Sequence, residues 1–320
     1  MITPDYYSEF KCIGSKCKNN CCCGGWEIEV DDASMERFET IEGIFGERVR
    51  NSINSDNVFI HEKGRCPMLT DTGLCEMVIN GEKLCVVCDE YPRFTEYFED
   101  YIERGISLSC EAAADIILNN ERIVKLSGNS GECKEDIFKL LINARDEVFG
   151  ILQDRKLDVY KRIRLVLDYG EALQNHINNN DFLNFSYTPC DRLTNKADIS
   201  PVFETLSDID CLDDRWNDTL KEFNPEFKAT DIQLEQMAVY FVYRYFMKAV
   251  FDCDVISKLK FMAFGIIAIN GLADVCGNVF ESARRYSIEV EHNEENIDMI
   301  YDEFLFNELL STENLINMIK

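Results

Sequence analysis

The spacing of apolar side chains predicts helices over most of the second half of the chain. From about residue 134 onward, apolar residues recur at the three- and four-residue spacing of helices that bury one face. The apolar face of the first predicted helix consists of Ile137, Leu140, Leu141, Ala144, Val148 and Leu152. Further helices are predicted over about 201–222, 231–252 and 256–283, and an amphipathic, acidic segment over 286–319.

The earlier part of the chain has weaker periodicity and predicts shorter elements. Trp26–Val30 alternates apolar and acidic residues, which is the pattern of a half-buried strand. Val58–Ile60 predicts a second short strand. Asp31 and Asp32 are suitable N-caps for a helix that would follow the first strand.

These patterns predict a mainly α protein with two domains. Residues 1–115 would form a cysteine-rich, partly irregular N-terminal domain with short strands that binds a metal or cluster. Residues 116–320 would form a helical domain. A chain of 320 residues is long enough for this arrangement.

The cysteines are distributed unevenly along the chain. Ten of the 15 cysteines precede residue 111, and five fall between Cys12 and Cys23, flanked by glycines. Three adjacent cysteines cannot all point inward from a regular helix or strand, so this stretch is predicted to be a loop. Cys85 and Cys88 form a C-x2-C pair, a spacing found at metal sites. Thiolates this dense indicate a metal ion or an iron–sulfur centre, for which sulfur is a preferred ligand.

Two further cysteine positions have predicted structural surroundings. Asp71-Thr72-Gly73 predicts a hairpin turn that would set Cys66 beside Cys75. Cys110 directly precedes a predicted helix over 111–124. A helix N-terminus favours a thiolate, so Cys110 is placed where it could act as a ligand.

The net charge narrows the classes of partner. A formal charge of −26 argues against nucleic acid, whose phosphates require Lys and Arg, and against an anionic membrane surface. The same charge would attract a cationic substrate, and a lysine side chain is one. Acidity that only keeps the protein soluble is the alternative.

The cysteine count and the start of the chain indicate a cytoplasmic protein. The sequence M-I-T-P-D-Y-Y lacks the basic and apolar regions of a signal peptide, and an odd number of cysteines, 15, does not suggest a disulfide framework. The apolar runs 237–250 and 261–275 are shorter than the roughly 18 residues that span a bilayer. They are predicted to be core helices.

Several motifs in residues 1–115 resemble the flagellin lysine-N-methylase family, which is related to a wider group of cysteine-cluster proteins with a C-x2-C-x2-CC-like signature. The motifs are Pro4-Asp5-Tyr6-Tyr7, Phe10-Lys11-Cys12 with Cys17 and the cysteine pair before Trp26, Cys66-Pro67-Met68-Leu69, Gly73-Leu74-Cys75, Cys88-Asp89-Glu90-Tyr91-Pro92-Arg93 and Leu108-Ser109-Cys110. The helical remainder is compatible with the family but carries no diagnostic motif.

The resemblance implies an iron–sulfur protein that transfers methyl groups from S-adenosylmethionine to lysines of flagellin. It carries over a set of metal-ligating cysteines: Cys12, Cys17, Cys21, Cys22, Cys23, Cys66, Cys75, Cys88 and Cys110. The chain departs from the family pattern at Cys21–Cys23, so either Cys21/Cys22 or Cys22/Cys23 is the family pair, and Cys85 is an extra cysteine. We predict a [4Fe-4S] cluster. Structural zinc is the alternative, although so many thiols exceed one tetrahedral site.

The methyl donor lacks a recognisable binding fingerprint in this sequence. The C-x3-C-x2-C signature of radical S-adenosylmethionine enzymes fails because position 24 is glycine, and no glycine-rich dinucleotide loop is found. Tyr91 and Arg93 are predicted to bind the cofactor, through an aromatic face for the sulfonium and a guanidinium for the carboxylate. A rigid surface turn is the alternative for these two residues. Lysine must also lose its proton before it can attack, and the general base is not identified.

Two groups of basic residues are interpreted as structural, and a second functional hypothesis is kept beside the methylase. Arg244, on an otherwise apolar helix, is expected to extend its side chain to solvent, and a buried cation that faces a ligand is the alternative. The basic run 155–164 is expected to be a solvated helix face. The second functional hypothesis is a metal-binding or iron–sulfur delivery protein without transferase activity.

Overall fold

The computed structural model describes residues 1–182, 185–193 and 195–319, and it confirms a mainly α fold with a small sheet. The elements up to residue 128 are β1 Ile2–Pro4, α1 Asp32–Glu39, α2 Gly43–Asn51, α3 Glu76–Ile79, α4 Val86–Glu90, β2 Arg93–Phe98, β3 Tyr101–Ile106, α5 Glu111–Leu118 and β4 Leu126–Gly128.

The remaining elements are helical, as the apolar spacing predicts. They are α6 Asp136–Leu152, α7 Val159–Asn178, α8 Ser200–Leu206, α9 Trp216–Leu220, α10 Asp231–Tyr245, α11 Ala249–Asp252, α12 Val255–Leu272, α13 Val279–Tyr286, a π-helical turn Ser287–Glu291, α14 Glu294–Phe306 and α15 Thr312–Met318.

The sheet has the strand order β2-β3-β1-β4. Strands β2 and β3 form an antiparallel hairpin in which Arg93 lies opposite Ile106 and Phe98 opposite Tyr101. Glu99, in the tight turn between them, has a left-handed backbone with φ of 53°. Strand β1 pairs in parallel with β3 and antiparallel with β4. The sequence analysis did not predict this hairpin.

Two hydrophobic clusters divide the fold. The larger one is built from α5 to α15 and includes Tyr6, Phe10 and the buried side chains of the β2–β3 hairpin. The smaller one consists of Val30, Phe38, Val49, Phe59, Cys66, Met68, Met77 and Cys85. We call residues 12–88, which surround this smaller cluster, the cysteine lobe. The predicted boundary at residue 115 stays a prediction about separate domains, whereas the packing joins the hairpin and α5 to the helical core.

Helix α12 lies at the centre of the larger cluster, packed against α7, α10 and α13. It is long and apolar enough to cross a membrane, but 94% of the 18-residue window that meets this test is buried inside the fold. Its apolar surface is therefore used in the core, as predicted for the run 261–275. Side chains pack tightly against this helix. A Cβ atom at Gly271 would lie only 2.3 Å from the ring of Phe203 and would clash with it.

Several predicted elements have different ends in the structure. The helix predicted over 201–222 is wrong as one element, because α8 and α9 are separated at 207–215. The helix predicted over 256–283 is two helices, broken before α13 where Gly277 has a left-handed φ of 93°. The strand predicted at Trp26–Val30 is reduced to an isolated bridge between Glu29 and Val58.

Buried ion pairs join the helices and correct two expectations. Arg162 and Glu235 pair at 2.6 Å with almost no exposed side chain, and Arg164 is likewise buried beside Asp191. The interpretation of residues 155–164 as a solvated face is therefore wrong for Arg162 and Arg164, whereas Arg155 and Lys156 are exposed. Arg244 is also wrongly predicted as solvent-directed, because it is buried and lies 2.8 Å from the carboxylate of Glu291.

Candidate active-site cleft and cysteine cluster

A cleft of about 600 Å³ opens where the cysteine loop meets the helical part of the chain. One wall comes from residues 18–26, and the other from 212–215 and 284–289. Tyr91 and Ser109 also line it. The cleft therefore brings together side chains that lie far apart in the sequence, and we describe it as the candidate active site.

The cysteine loop is held at the cleft by hydrogen bonds to two helices. The carboxylate of Glu111, in the first turn of α5, accepts the backbone N–H groups of Lys18 and Asn19 at 2.9 and 3.2 Å. The amide of Asn19 donates to Glu281 of α13 at 2.7 Å. Asn20 caps the short turn Cys21–Cys23 by accepting the backbone N–H of Cys22. These bonds fix a loop that has little apolar packing of its own.

Three ring side chains meet beside the cleft. The rings of Trp26 and Tyr91 are 5.1 Å apart at 74°, an edge-to-face contact, and the ring of His292 lies 4.8 Å from that of Trp26. We call Trp26, Tyr91 and His292 the aromatic corner. Trp26 and Tyr91 are only partly buried, and His292 keeps an exposed surface. The indole Nε1 of Trp26 is buried without a hydrogen-bond partner among the described residues.

Hydrogen bonds connect the aromatic corner to a pair of serines. Tyr91 donates its hydroxyl to Ser109 Oγ at 3.2 Å, and His292 Nε2 lies 2.8 Å from the same oxygen. Ser109 Oγ in turn donates to Ser107 Oγ at 3.0 Å. Burial, and secondarily the charge of Arg244, lower the pKa of His292, so the imidazole is neutral.

Behind the serines lies the most deeply buried charge pair of this region. Arg244 donates to Ser107 Oγ at 3.0 Å and pairs with Glu291. Tyr240 and Tyr245 donate their hydroxyls to the same carboxylate at 2.6 and 3.2 Å. Burial raises the pKa of Glu291, and Arg244 opposes that rise. The π-helical turn ends at Glu291 and so delivers both this carboxylate and His292 to the site.

The charged residues of the cleft wall are mostly paired with one another. Asp213 bonds to Arg215 and Arg285, and although burial raises its pKa, the bonds from Arg215 lower it overall. Arg284 is held by Glu281 through two hydrogen bonds of 2.6 and 2.9 Å. Asp214 makes no ion pair or hydrogen bond to any residue that the structure describes. Its carboxylate is available to a ligand.

The predicted ligand cysteines fall into two neighbourhoods. Cys17 lies 3.4 Å from the Glu111 carboxylate, and burial followed by this negative charge raises the pKa of its thiol to about 12. Cys110 is the N-cap of α5, as predicted. Burial nevertheless raises its pKa, outweighing the backbone N–H groups of Ala112 and Ala113 that lower it. Cys12 is exposed and close enough to influence Cys110.

The other neighbourhood is the apolar interior of the cysteine lobe. Cys66 is buried in the smaller cluster, and Cys22, Cys75 and Cys88 pack against it. The backbone N–H of Cys66 donates to the carbonyl of Cys22 at 2.8 Å. The bridge between Leu69 and Cys75 closes the turn predicted at 71–73.

Thiol pairs within the lobe affect one another's protonation. The neighbouring thiol of Cys22 lowers the pKa of Cys21 to about 7. The thiol of Cys88 has the same effect on Cys85, whose pKa is also lowered to about 7. The pKa values of Cys22 and Cys88 themselves are raised. Cys85, regarded as an extra cysteine in the sequence, is therefore part of the same thiol group.

We compared these cysteines with the requirements of a metal or cluster site. The donor chemistry fits, because soft thiols and backbone N–H donors are gathered in one lobe. Within residues 1–182, 185–193 and 195–319, however, no three Cys, His, Asp or Glu side chains lie around a single point where an ion could bind. The ligand set predicted from the sequence therefore stays a prediction.

The two predicted cofactor-binding residues, Tyr91 and Arg93, have different surroundings in the structure. Tyr91 lines the cleft, together with Cys21 and Cys23. Arg93 is outside the lining, where its guanidinium donates to the carbonyl of Asp89 at 3.1 Å and lies over the ring of Phe10. Its binding role stays a prediction, although the guanidinium already has these partners.

The sequence analysis missed several residues of the cleft. Trp26 was quoted only as part of a motif, and its position after the double glycine was the available signal. His292 and Asp214 carried no signal, because only tertiary contacts bring His292 against Trp26 and Asp214 to the cleft.

Comparison with known proteins shows that part of the chain matches a family model. The family model for the FliB lysine N-methylase C-terminal domain matches residues 191–318. The flagellar biosynthetic protein FliU of Salmonella muenchen is 22% identical over 155 residues, which cover 43% of this chain and 89% of that protein. The lysine-N-methylases of Salmonella typhimurium and Salmonella choleraesuis are each 24% identical over 143 residues, covering 40% of this chain and 34% of theirs. No solved structure matches.

Together, the fold and the cleft define a mainly helical protein with a cysteine-rich lobe at its candidate active site. Residues 191–318 match the FliB lysine N-methylase C-terminal domain, and part of the chain is similar to two curated lysine-N-methylases, so the chain resembles the lysine N-methylase family. The predicted resemblance to this family is thereby confirmed, and the family model places it in residues 191–318, in the helical part, where the sequence analysis found no diagnostic motif. The match spans about a third of the length of the two curated lysine-N-methylases.

Proposed function

We propose that this protein is a protein-lysine N-methyltransferase that moves methyl groups from S-adenosylmethionine to lysines of flagellin in the cytoplasm. The observation that carries the proposal is the composition of the cleft. One wall belongs to the cysteine loop, which carries the family motifs, and the other belongs to residues 212–215 and 284–289, which lie within the segment matched by the family model.

The cleft has the groups that methyl transfer to an amine requires. The neutral lysine nitrogen attacks the methyl carbon, the carbon–sulfur bond breaks, and its electron pair remains on sulfur, giving S-adenosylhomocysteine. Before that step the ammonium proton must leave, and Asp214 is an unpaired carboxylate that can attract the ammonium group and accept its proton. Trp26 and Tyr91 supply aromatic faces beside the same space.

The proposal includes an iron–sulfur cluster held by cysteines of the lobe and of the loop. The ligands would come from Cys12, Cys17, Cys21, Cys22, Cys23, Cys66, Cys75, Cys88 and Cys110. When bound, the cluster would cross-link the lobe and offer an electron-transfer centre. The chain itself positions the cleft wall, because Cys21 lies in both the thiol group and the lining, and Cys23 lines the cleft as well.

Intact-protein mass spectrometry tests the activity. Incubation of anaerobically purified protein with S-adenosylmethionine and unmodified flagellin from the same cell should add mass in steps of about 14 Da, the mass of a methyl group replacing hydrogen on lysine. A reaction without the methyl donor is the control. Flagellin that stays unmodified after prolonged incubation with metal-loaded protein would support the metal-binding hypothesis instead.

Replacing Asp214 by asparagine should lower kcat/KM for flagellin by about tenfold or more, because one carboxylate that attracts the lysine ammonium group is lost. Asp208→Asn is the matched control, since Asp208 is exposed and does not line the cleft. Steady-state rates of S-adenosylhomocysteine formation provide the measurement. Equal rates for both variants would remove Asp214 from the proposed mechanism.

A further inference from the structure

The aromatic corner has the properties of a binding site rather than of a core contact. Trp26 and Tyr91 meet edge to face and line the cleft while only partly buried. Aromatic pairs that serve only packing are normally buried, and those of this protein include Phe241 with Phe261, neither of which is exposed. Trp26 and Tyr91 instead line a space of about 600 Å³.

The groups around the corner leave it electrically suited to a cation. His292 is neutral, and the hydroxyl of Tyr91 is engaged by Ser109, so the corner carries no formal charge. Arg284, whose charge reaches Tyr91, is neutralised by Glu281. The unpaired carboxylate of Asp214 lies on the same cleft.

Most of the other charged side chains that line the cleft already have partners within the protein. Arg215 and Arg285 share Asp213, and Glu289 is buried and accepts the backbone N–H of Leu212 at 2.7 Å. Lys18 is the cation of the lining whose side chain has no ion pair in the described part of the chain. Each arginine of the lining is therefore in an ion pair, two of them with the same carboxylate, and Lys18 is the cation of the described lining that has none.

We propose that the aromatic corner binds an onium centre, meaning a positively charged sulfur or nitrogen atom that carries methyl groups. Such a centre is too large and diffuse for directed hydrogen bonds, and aromatic faces attract it through their negative quadrupole. Within the proposed function, on which this inference rests, two groups have this chemistry. They are the sulfonium of S-adenosylmethionine and the methylated ε-ammonium group of the product.

Tryptophan fluorescence can report on the corner because the chain has two tryptophans in very different places. Trp216 is fully buried, whereas Trp26 lines the cleft. The probes are S-adenosylmethionine with neutral S-adenosylhomocysteine, and an Nε-trimethyllysine peptide with its neutral tert-butyl isostere. We expect each onium probe to quench the emission of the wild type and of Trp216→Phe, but not of Trp26→Phe. The neutral analogues should bind about tenfold more weakly.

Calorimetry with conservative and non-conservative variants separates binding from the fluorescence signal. Trp26→Phe should keep most of the affinity because it retains a π face, whereas Trp26→Leu should lose about tenfold. Tyr91→Phe should bind like the wild type, since the hydroxyl faces Ser109, and Tyr91→Leu should not. Circular dichroism establishes that each variant is folded.

The probes also identify the source of the cation. Quenching by S-adenosylmethionine alone assigns the corner to the donor, quenching by trimethyllysine alone assigns it to the product, and both results support an onium site. Equal affinity for cationic and neutral probes, or unchanged affinity in folded Trp26→Leu, would overturn the inference. Onium binding without any methyl transfer would support this site and contradict the proposed function. Methyl transfer that is unaffected by Trp26→Leu would support the proposed function and contradict this site.

Discussion

Replacing Arg244 by methionine should lower the free energy of unfolding by about 3–5 kcal/mol, the usual cost of removing one member of a buried ion pair. Glu291 is completely buried, so its carboxylate would be left in the core without its cation. The bonds from Tyr240 and Tyr245 cannot replace that charge. Urea denaturation followed by circular dichroism measures the change.

The controls for this variant distinguish the charge pair from general sensitivity of the fold. Arg215→Met breaks a largely exposed pair with Asp213 and should leave the free energy of unfolding nearly unchanged. Combining Arg244→Met with Glu291→Gln should recover part of the loss, because the second change removes the unpaired charge. A double variant as unstable as the sum of its single changes would show that the pair is not the reason for the stability.

Replacing Cys88 by serine should strip iron from the anaerobically purified protein and unfold the cysteine lobe, because metal binding and folding are linked. Cys88 packs against the smaller hydrophobic cluster, which includes Cys85. The wild type should contain about four iron and four sulfide ions per chain if one cubane cluster is bound. Iron analysis and hydrogen exchange of residues 12–88 measure the two effects.

Cys190 provides the matched control for the metal measurement. It is exposed and lies outside the lobe, so Cys190→Ser should leave the iron content unchanged. Wild-type protein that is colourless and takes up only zinc would contradict the cluster. An equal loss of iron from Cys190→Ser would contradict the division between ligand and structural cysteines.

The helices were predictable because their apolar faces repeat over many residues. The face of α6 and the burial of α12 agree with the apolar spacing. The positions at which the helices begin and end were less predictable. Residues 207–215 interrupt the helix expected over 201–222 in an acidic stretch whose side chains bond elsewhere, as Asp213 does with Arg285.

The buried charges could not be recognised because their partners are distant in sequence. Arg162 pairs with Glu235, 73 residues away, and Arg244 bonds to Glu291, 47 residues away. A basic residue considered without its partner looks like a surface residue. The β2–β3 hairpin was different, since its β-branched and aromatic residues and its Glu99-Asp100 turn were present in the sequence.

The candidate site was predictable in part. The cysteine motifs identified the loop that forms one wall of the cleft, and Tyr91 was named from the motif that follows Cys88. The opposite wall was not predictable, because nothing in the local sequence marks 212–215 or 284–289. Packing of α13 against α5 and α12 brings the second of these segments to the cleft.

The π-helical turn Ser287–Glu291 limits how the sequence can change in length. Each residue of an α-helix turns the chain by about 100°, so the loss of one residue here would rotate everything that follows. Position 292 would then swing away from Trp26, and the carboxylate of position 291 would leave Arg244. Insertions and deletions among relatives should therefore avoid the segment from α13 to His292, even where the amino acids themselves vary.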